Sequence, residues 1–465
     1  MTIDELKSKK VAVLGFGHEG QALVRYFSKH GIPVSVHDAK KHSEINATQS
    51  KMVSEYKLQT HFGENYLDNL SEMEVVFKSP GINLSDQFKN TLREKEIFLT
   101  SQTAWFFKHC PSKIIGITGT KGKGTTSSLL FEMLTAGNLS NKVYLTGNIG
   151  KESPLDFLDQ TTSDDFIVFE LSSFQLEGLE QSPNIGICLM VTEDHLDYHP
   201  SLDLYHQAKQ SITKFQGTDD IAIYNIDYPA SKSIGVLGKG QKFEISKSKA
   251  ISLGARIDLQ TEQIIITTNS NAVKIDVKNR IIRGKHNLEN IAAASLAATI
   301  LGVSNEVITQ TIQNFSGLPH RLELTGEFDG IKFYDDSIAT NPDTALAGLA
   351  AFSEPVTLLL GGANKGLDYT NLISKISQCE NLKAVVCFGQ VGELLYSALN
   401  DSGFQKSLEG PFLNFDEAVK SAISVSTKGD VVLLSPAATS FDMFNSYSER
   451  GDAFKQLVKN HYAQS

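Results

Sequence analysis

GITGTKGKGTT, from Gly116 to Thr126, is the stretch that decides the fold of this chain. The apolar residues 114–117 predict a short buried strand, and residues 127–134 have the periodicity of a helix. A strand, a glycine-rich turn with a lysine, and a helix together form the arrangement that binds nucleotide phosphates. The glycines let backbone N–H groups approach phosphate oxygens, Lys123 supplies a cation, and the helix N-terminus adds positive potential. The pattern therefore predicts a phosphate-binding loop rather than an ordinary turn with a surface lysine.

The loop departs from the common pattern G-x-x-x-x-G-K-[ST] at one position. Gly124 follows Lys123 where that pattern has a serine or threonine, whose hydroxyl binds Mg²⁺. The loop is therefore not a complete match to that pattern.

Length and composition limit the class of protein. A chain of 465 residues is too long for a single hydrophobic core, and its 41% hydrophobic residues are typical of a soluble globular protein. Acidic residues outnumber basic ones by 53 to 43, so nucleic acid is not expected as a partner. The first residues form no apolar signal segment, no apolar run is long enough to span a membrane, and the four scattered cysteines form no zinc or disulfide pattern. We expect a cytoplasmic protein without a membrane partner.

The chain divides into three blocks in which apolar strands alternate with helical stretches, a pattern typical of parallel sheets covered on both faces. We expect an α/β protein of three domains, at 1–108, 109–317 and 318–465. The first and third domains are expected to be Rossmann-like, and the central one to be a P-loop-type domain with a mainly parallel sheet. Within the central block, short β-rich runs at 242–283 predict a small antiparallel insert. Ligands of such sheets bind at the carboxyl ends of the strands.

The first block begins with the dinucleotide-binding fingerprint. Its first strand leads into Gly15-x-Gly17-x-x-Gly20, and Asp38 follows the second strand, predicted at 32–37. A diphosphate would lie over the helix N-terminus, with Asp38 accepting a hydrogen bond from a ribose or a base. The fingerprint alone does not separate NAD from other nucleotide ligands. A later turn either binds the same diphosphate or is an ordinary turn; its residues are Lys78, Ser79, Pro80 and Gly81.

Two acidic segments follow strands beside the phosphate loop. Glu170 comes directly after the predicted strand 166–169, where a carboxylate can hold Mg²⁺ against ATP oxygens or cap a helix. The segment TEDHLD, residues 192–197, concentrates three carboxylates and His195, whose charge a bound cation would compensate. Two such strand ends beside one phosphate loop favour a metal site. Lys209 lies in a predicted helix, and its position alone does not separate a functional lysine from a solvent-facing one.

Polar side chains also follow the strands of the third block. Three predicted strands, at 356–360, 384–388 and 431–434, each end at a glycine or small-residue turn, and the run 331–334 ends at Asp335 and Asp336. The polar residues beyond them include Asp336, Lys365, Ser440 and Tyr447. A lysine and several hydroxyls at strand ends suit a small anionic substrate, although an ordinary polar loop explains each of them singly.

Nine segments in a fixed order resemble the Mur ligase family of peptidoglycan synthesis. They are GITGTKGKGTT, GNIG, ELSSFQLE, TEDHLD, HNLEN, LPHRLE, DDSIATN, LLLGGANKG and LLSPAATSFDMF. With the opening glycine turn, the resemblance extends over nearly the whole chain. It implies three domains that bind, in order, a UDP-sugar, ATP and the incoming amino acid. The opening turn would then hold the diphosphate of UDP rather than NAD.

The resemblance also implies roles for individual residues. Lys123 would contact the β- and γ-phosphates, and Lys209 matches a lysine that is carbamylated in the family. The implied catalytic residues are Lys123, His195 and Lys209, and the implied metal ligands are Thr125, Glu170, His195 and carbamylated Lys209. The implied ATP site comprises Gly119, Thr120, Lys121, Gly122, Lys123, Gly124, Thr125, Thr126, Asn290, Arg321 and Asp336. The implied UDP-sugar site comprises Gly15, Gly17, Gly20, Asp38, Ser79, Pro80, Gly81, Asn148, Ser172 and Gln175, and the implied glutamate site comprises Thr340, Lys365, Ser440 and Tyr447.

The implied reaction is ATP-dependent ligation of D-glutamate to UDP-N-acetylmuramoyl-L-alanine, with two Mg²⁺ ions. The alanyl carboxylate attacks the γ-phosphate to give an acyl phosphate and ADP, and the amine of glutamate then displaces phosphate. The enzyme would be a cytoplasmic monomer of cell-wall biogenesis, and so of cell shape, cell division and the cell cycle. Two alternatives stay open. One is a related ligase for L-glutamate or for folate polyglutamylation; the other is a nucleotide sensor or NAD-dependent oxidoreductase, which leaves the Lys123 loop unexplained.

Ile338 is a second departure from the family pattern. It lies in DDSIATN, where this branch of the family usually has a lysine. One cationic contact near the substrates is therefore missing, and Lys121 in the phosphate loop is the candidate replacement.

Overall fold

The computed structural model describes residues 1–139, 142–150, 152–195, 198–269 and 271–463. They form two compact units, one made of Met1–Val277 with Glu289–Thr311, the other of Lys278–Leu288 with Ile312–Ser465. The first unit contains two β-sheets and the second contains one. No helix of the described part is long and apolar enough to cross a membrane.

The first sheet has five parallel strands in the order β3-β2-β1-β4-β5. Its elements are α1 (Ile3–Lys7), β1 (Val11–Leu14), α2 (His18–Lys29), β2 (Val34–Asp38), α3 (Ala47–Glu55), β3 (Gln59–Phe62), β4 (Val75–Lys78), α4 (Asp86–Glu94), β5 (Phe98–Thr100) and α5 (Gln102–His109). The strand predicted at 32–37 begins two residues later, because Pro33 has no N–H to donate to the ladder. The strand order reverses between β1 and β4, which places a ligand crevice at their carboxyl ends.

The central sheet has nine strands in the order β14-β13-β12-β11-β10-β9-β6-β8-β7. Its elements are β6 (Lys113–Thr118), α6 (Lys123–Ala136), β7 (Val143–Gly147), α7 (Pro154–Phe157), β8 (Phe166–Glu170), α8 (Ser173–Leu176), β9 (Ile185–Cys188), α9 (Leu202–Lys209), β10 (Ile221–Asn225), α10 (Pro229–Gly235), β11 (Gln241–Ser246), β12 (Gly254–Asp258), β13 (Gln263–Thr267) and β14 (Ala272–Asp276). The chain continues through α11 (His286–Ile300) and α12 (Asn305–Asn314). Every residue of β8 and β9 is buried, as in parallel sheets covered on both faces.

The segment 242–283 differs from the predicted antiparallel insert. It extends the central sheet, and β10, β11 and β12 pair in parallel. Only the pairings of β12 with β13 and of β13 with β14 are antiparallel. Alternate residues of β13 are buried, so the sequence pattern reported one buried face correctly. Such alternation does not reveal which strand pairs with which. The pairing depends on the edge of the central sheet at β10, where β11 adds in parallel.

The third sheet has six strands in the order β15-β16-β20-β17-β18-β19. Its elements are β15 (Glu323–Phe328), β16 (Ile331–Asp335), α13 (Pro342–Leu349), β17 (Val356–Gly361), α14 (Thr370–Gln378), β18 (Leu382–Phe388), α15 (Gly389–Asp401), β19 (Ser407–Phe412), α16 (Phe415–Ser424), β20 (Val431–Leu434) and α17 (Tyr447–Ala463). Only β15 pairs antiparallel, with β16. The parallel strands β16, β20 and β17 are neighbours, so the loops that follow them lie at one edge.

Candidate active site

The phosphate loop lies where β6 ends and α6 begins, as predicted. Residues Gly119 to Gly122 form the turn, and Lys123 is the first residue of α6. The Lys123 ammonium donates hydrogen bonds to the carbonyl oxygens of Gly119 and Thr120, at 3.1 and 3.2 Å. The lysine thus rests on its own loop. Of the remaining loop residues, Lys121 is exposed, Gly124 is half-buried, and Thr125 and Thr126 are buried in the first turn of α6.

Gly122 is the position in the loop that requires glycine. Its φ is +89°, and a Cβ there would lie 2.2 Å from the side-chain oxygen of Asn290. Asn290 lies in the first part of α11 and is buried. The side-chain amide of Asn290 therefore lies against the backbone of the phosphate loop, which brings two of the predicted ATP-binding residues together.

Replacing Gly122 with alanine is expected to raise the KM for ATP by roughly tenfold or more, because Asn290 or the loop must shift. The positive φ adds strain of about 1–3 kcal/mol, which thermal unfolding would register. Gly302→Ala is the matched control, because Gly302 has a φ of +95° but nothing within 4 Å of the added Cβ. Equal effects of the two substitutions on the KM for ATP, measured by steady-state kinetics, would contradict the role of the Asn290 contact.

Thr120 has partners within the protein. Its N–H donates to the carbonyl of Met190 at 2.7 Å, and its hydroxyl lies 2.9 Å from the hydroxyl of Tyr205. The same hydroxyl accepts the N–H of Thr192 at 2.9 Å. These bonds tie the phosphate loop to the loop after β9. ATP binding by Thr120 stays a prediction, and its structural role is the one that the contacts support.

Lys209 is buried beneath the phosphate loop. It is the last residue of α9, is 1% exposed, and donates to the Thr118 hydroxyl at 3.3 Å and to the Gly119 carbonyl at 3.1 Å. Lys123 and Lys209 therefore donate to the same carbonyl oxygen. Burial and, to a smaller extent, the nearby charge of Lys123 lower the pKa of Lys209 to about 7. The tertiary structure thus separates Lys209 from a solvent-facing lysine.

The predicted metal ligands follow neighbouring strands. Glu170 is the last residue of β8, is 5% exposed, and lies beside Ile117 of β6 in the ladder. His195 has a φ of +52° and a side chain that is 45% exposed, and its ring lies 5.0 Å from the ring of Phe174. A buried carboxylate with the Thr125 hydroxyl offers the oxygen donors that Mg²⁺ prefers, so the donor set fits this ion. Asp197, the third carboxylate of TEDHLD, lies outside the described residues.

Among the described residues, three possible metal ligands form a close cluster in the second unit. Ligand atoms of His320, Glu323 and Asp335 lie within 4.8 Å of one another. The Lys455 ammonium lies 2.7 Å from the Glu323 carboxylate and 3.6 Å from that of Asp335. This lysine already compensates the negative charge, so the cluster is an ion-paired network of the fold.

The turn after β1 has the tight geometry that the fingerprint predicts. Gly15 has a φ of +96°, and a Cβ there would lie 2.7 Å from the Ser79 hydroxyl oxygen. A Cβ on Gly20 would lie 1.9 Å from the Gly15 carbonyl oxygen, whereas a Cβ on Gly17 would have no atom within 4 Å. The turns after β1 and β4 therefore meet at the crevice. Gly81 is open in the same way as Gly17, and Pro80 accepts a hydrogen bond from the Tyr198 hydroxyl.

Asp38 supports this turn from within. One carboxylate oxygen accepts the N–H of Phe16 at 2.6 Å, and the other accepts that of Lys40 at 2.9 Å. The predicted contact of Asp38 with a ribose or a base stays a prediction. The carboxylate already holds the backbone of the glycine turn in place.

Gln175 links the first two sheets of the first unit. Its backbone N–H and side chain form a capping box with Ser172 at the start of α8. Its side-chain N–H donates to the Glu19 carboxylate at 2.9 Å, and burial raises the pKa of Glu19. Asn148 is exposed in the turn after β7. Sequence analysis missed Glu19, although its place inside the glycine fingerprint was a signal.

The predicted glutamate residues follow three neighbouring strands of the second unit. Thr340 is half-buried after β16, Lys365 is exposed after β17, Ser440 is 2% exposed after β20, and Tyr447 begins α17. The Lys365 ammonium lies 5.1 Å from the centre of the Phe441 ring. Phe441 was missed by the sequence analysis, and its 64% exposure is unusual for a phenylalanine.

Asp336 and Arg321 lie together in the second unit. Asp336 accepts hydrogen bonds from the Leu322 N–H at 3.2 Å and from the Ser435 hydroxyl at 2.7 Å. Burial raises the pKa of Asp336 to about 7, which the nearby charge of Arg321 partly opposes. Arg321 itself is exposed. ATP binding by this pair stays a prediction, since the Asp336 carboxylate already anchors two loops.

Glu289 also escaped the sequence analysis. It precedes Asn290, is 6% exposed, and accepts a hydrogen bond from the Asn225 amide at 2.7 Å. Lys247 forms an ion pair with it. These contacts hold the residue next to Asn290, and no local sequence signal pointed to them.

Three family models match the chain along its length. The MurD-like N-terminal domain of Mur ligases matches residues 9–99, the Mur ligase middle domain matches 117–298, and the glutamate ligase domain of Mur ligases matches 320–438. The fold and the phosphate loop thus define an ATP-dependent α/β ligase. The chain belongs to the Mur ligase family.

Curated relatives and solved structures agree with this family. A protein of Acetivibrio thermocellus named UDP-N-acetylmuramoylalanine–D-glutamate ligase is 34% identical over 463 residues, covering 98% of this chain and 97% of its own. A protein of the same name from Desulfitobacterium hafniense is 36% identical over 461 residues, covering 99% of each chain. The structure of MurC from Thermotoga maritima has a TM-score of 0.58 at 17% identity, covering 98% of this chain and 100% of its own. MurF from the same organism, in complex with ADP, has a TM-score of 0.55 at 16% identity, covering 100% of this chain and 97% of its own.

These comparisons confirm the predicted family and the predicted α/β fold of three domains. They favour the ligase interpretation over a nucleotide sensor or an NAD-dependent oxidoreductase. The two structures share the fold at low identity, so they add nothing on individual site residues.

Proposed function

We propose that this chain joins D-glutamate to UDP-N-acetylmuramoyl-L-alanine with ATP, as an ADP-forming ligase of peptidoglycan precursor synthesis. Near full-length relatives of that name support the substrates. The observation that carries the proposal is the phosphate loop between β6 and α6, where the side-chain nitrogen atoms of Lys123 and Lys209 each lie 3.1 Å from the Gly119 carbonyl oxygen. Lys123 and the N–H groups at the start of α6 give this loop a positive potential, which suits the triphosphate of ATP.

The phosphate loop binds ATP in this proposal. Lys123 leaves the loop carbonyls and contacts the β- and γ-phosphates, while the N–H groups at the start of α6 face the phosphate oxygens. Asn290, Arg321 and Asp336 hold the rest of the nucleotide. The carboxylate of the alanyl group attacks the γ-phosphorus, which gives an acyl phosphate and ADP. The glutamate amine then attacks the acyl carbon, loses a proton, and phosphate leaves.

Two Mg²⁺ ions complete the proposed site, held by Thr125, Glu170, His195 and a carbamate on Lys209. Bound there, Mg²⁺ supplies charge neutralisation to the phosphates. A carbamate forms when the neutral amine of Lys209 adds to carbon dioxide and releases a proton, so a cation becomes an oxygen donor. Lys123 has a separate role in the proposal, as the side chain that contacts the β- and γ-phosphates.

The other proposed subsites occupy the two outer domains. The turns at Gly15 and Ser79 hold the UDP diphosphate, and Asn148 and Gln175 face the muramoyl part. Thr340, Lys365, Ser440 and Tyr447 surround glutamate. We place the domain boundaries at 108/109 and 317/318, and propose a cytoplasmic monomer whose product serves cell-wall growth and division.

Release of phosphate from ATP tests this function. With UDP-N-acetylmuramoyl-L-alanine present, we expect release with D-glutamate, with little release when L-glutamate replaces it or when either substrate is omitted. Mass spectrometry should show one added glutamyl residue on the nucleotide product. No release with either enantiomer would refute the ligase function, and equal or faster release with L-glutamate would establish the other specificity.

A further inference from the structure

Arg450 is among the largest fully buried side chains of the described residues, and its guanidinium joins three loops. It lies on α17 with an exposure of 0%. Its Nε donates to the Ser337 hydroxyl at 2.9 Å, and its Nη2 donates to the carbonyls of Ser337 and Ala438 at 2.9 and 3.0 Å. Its Nη1 donates to the Gly361 carbonyl at 3.4 Å. One side chain therefore contacts the loops after β16 and β20 and the last residue of β17, from which the third loop starts.

Each of these contacts lies close in sequence to a residue of the proposed glutamate site. Ser337 precedes Thr340 by three positions, Gly361 precedes Lys365 by four, and Ala438 precedes Ser440 by two. In each case a short stretch of backbone connects the residue that Arg450 bonds to the proposed glutamate contact.

The fourth member of that site is tied to Arg450 through Ser337. The Ser337 hydroxyl accepts from Arg450 and donates to the backbone carbonyl of Tyr447 at 2.8 Å. Tyr447 lies three residues before Arg450, on the first turn of α17. All four proposed glutamate contacts are thus linked to a single guanidinium.

The chemistry of this contact requires arginine. The planar guanidinium presents several N–H donors in fixed directions, whereas an ammonium is a single point of charge. Gly362 leaves room for it, because a Cβ there would lie 2.9 Å from the Nη1 atom. Burial lowers the pKa of Arg450 to about 10, and the nearby carboxylates of Asp442 and Asp335 oppose this shift. The group remains charged at neutral pH and its charge is met by carbonyl dipoles.

We propose that Arg450 is the positioning residue of the amino-acid site, which sets the distances between the Thr340, Lys365, Ser440 and Tyr447 contacts. It touches no substrate and acts through the three loops that it joins. This inference rests on the proposed ligase function. Misplacement of a binding group by about 1 Å can cost on the order of a hundredfold, so the spacing of these loops determines affinity for the amino acid.

Steady-state kinetics of Arg450→Lys and Arg450→Met test the proposal. We expect the KM for D-glutamate to rise roughly tenfold in the lysine variant and more in the methionine variant. The KM for the UDP-sugar should stay within about twofold of wild type, because none of its proposed contacts adjoins a residue that Arg450 bonds. The graded order, with lysine as partial rescue, separates positioning from a general loss of folded protein.

Lys383→Met is the matched control in the same sheet. Lys383 bonds to the Thr427 hydroxyl and to Asp430, at the amino ends of the strands and away from the loops in question. It should lower the melting temperature without changing the KM for D-glutamate. An equal rise in the KM for the UDP-sugar in the Arg450 variants, or an unchanged KM for D-glutamate, would overturn the proposal.

Ser337→Ala keeps the test decisive if the Arg450 variants do not fold. It removes the hydroxyl between Arg450 and Tyr447, and should also raise the KM for D-glutamate while leaving that for the UDP-sugar unchanged. If the Arg450 variants are insoluble and Ser337→Ala has a wild-type KM, the proposal fails. Wild-type protein without turnover would instead refute the ligase function, so the two failures are distinguishable.

Discussion

Lys123→Ala is expected to lower kcat by about 10³-fold or more, with a smaller rise in the KM for ATP. The ammonium lies 3.1 and 3.2 Å from two loop carbonyls, at the N-terminus of α6 where phosphate oxygens bind. Negative charge gathers on the transferred phosphoryl group when the alanyl carboxylate attacks, so the lysine contributes most in the transition state. Phosphate release under saturating substrates measures the effect.

Lys214→Ala is the control for this substitution. Lys214 is exposed and its ammonium lies 5.5 Å from the Phe215 ring, so its loss should leave kcat unchanged. Both variants should melt close to wild type, because Lys123 is the first residue of its helix and is only half-buried. If Lys123→Ala retained a tenth or more of the wild-type kcat, the loop would not be the site of phosphoryl transfer.

Lys209→Ala is expected to lower kcat by about 10²–10³-fold relative to wild type. Short carboxylic acids such as formate or acetate should restore part of the activity if a carbamate is the active form, because they supply the missing oxygens. Lys209→Met fills the same volume without offering space for the acid, so it should show the same loss and no rescue. Rescue of both variants, or of neither, would contradict the proposed carbamate.

Lys209 supports activity in the proposal, but its burial should lower the unfolding free energy at neutral pH. Burial lowers the pKa of Lys209 to about 7 from 10.5, so the unfolded chain binds the proton more tightly than the folded one. In metal-free, bicarbonate-free buffer, the unfolding free energy should therefore gain from this residue as pH rises from about 7 to 10.5. Lys209→Met should be more stable than wild type at pH 7, and the difference should shrink as pH rises. Chemical denaturation at several pH values measures it.

Prediction from sequence was most successful for local backbone structure. The strand, glycine turn and helix around Lys123 formed as predicted, because periodicity and glycine both act over a few residues. The same holds for the turn at Gly15. Strand ends could likewise be located, so candidate residues such as Glu170 and Ser440 were found by their position after a strand.

Side-chain partners were beyond the reach of the same reasoning. The ligand contacts of Asp38 and Thr120 stay predictions, and the hydrogen bonds of these side chains with the backbone N–H groups of Phe16 and Thr192 were not predicted. Arg450 was not predicted at all, because its contact at Ser337 lies 113 positions away. The type of a residue limits which hydrogen bonds its side chain can form. Which partner it finds depends on which strands are neighbours in the sheet.

The sequence by itself determined the class of fold, the phosphate loop and the family, since these depend on local patterns and on the order of motifs. Only the tertiary structure decided that Lys209 is buried, that it shares the Gly119 carbonyl with Lys123, and that one guanidinium joins three loops. The physical reason is that burial and charge proximity arise when parallel strands bring distant loops to one edge of a sheet. Those distances have no counterpart in the spacing of residues along the chain.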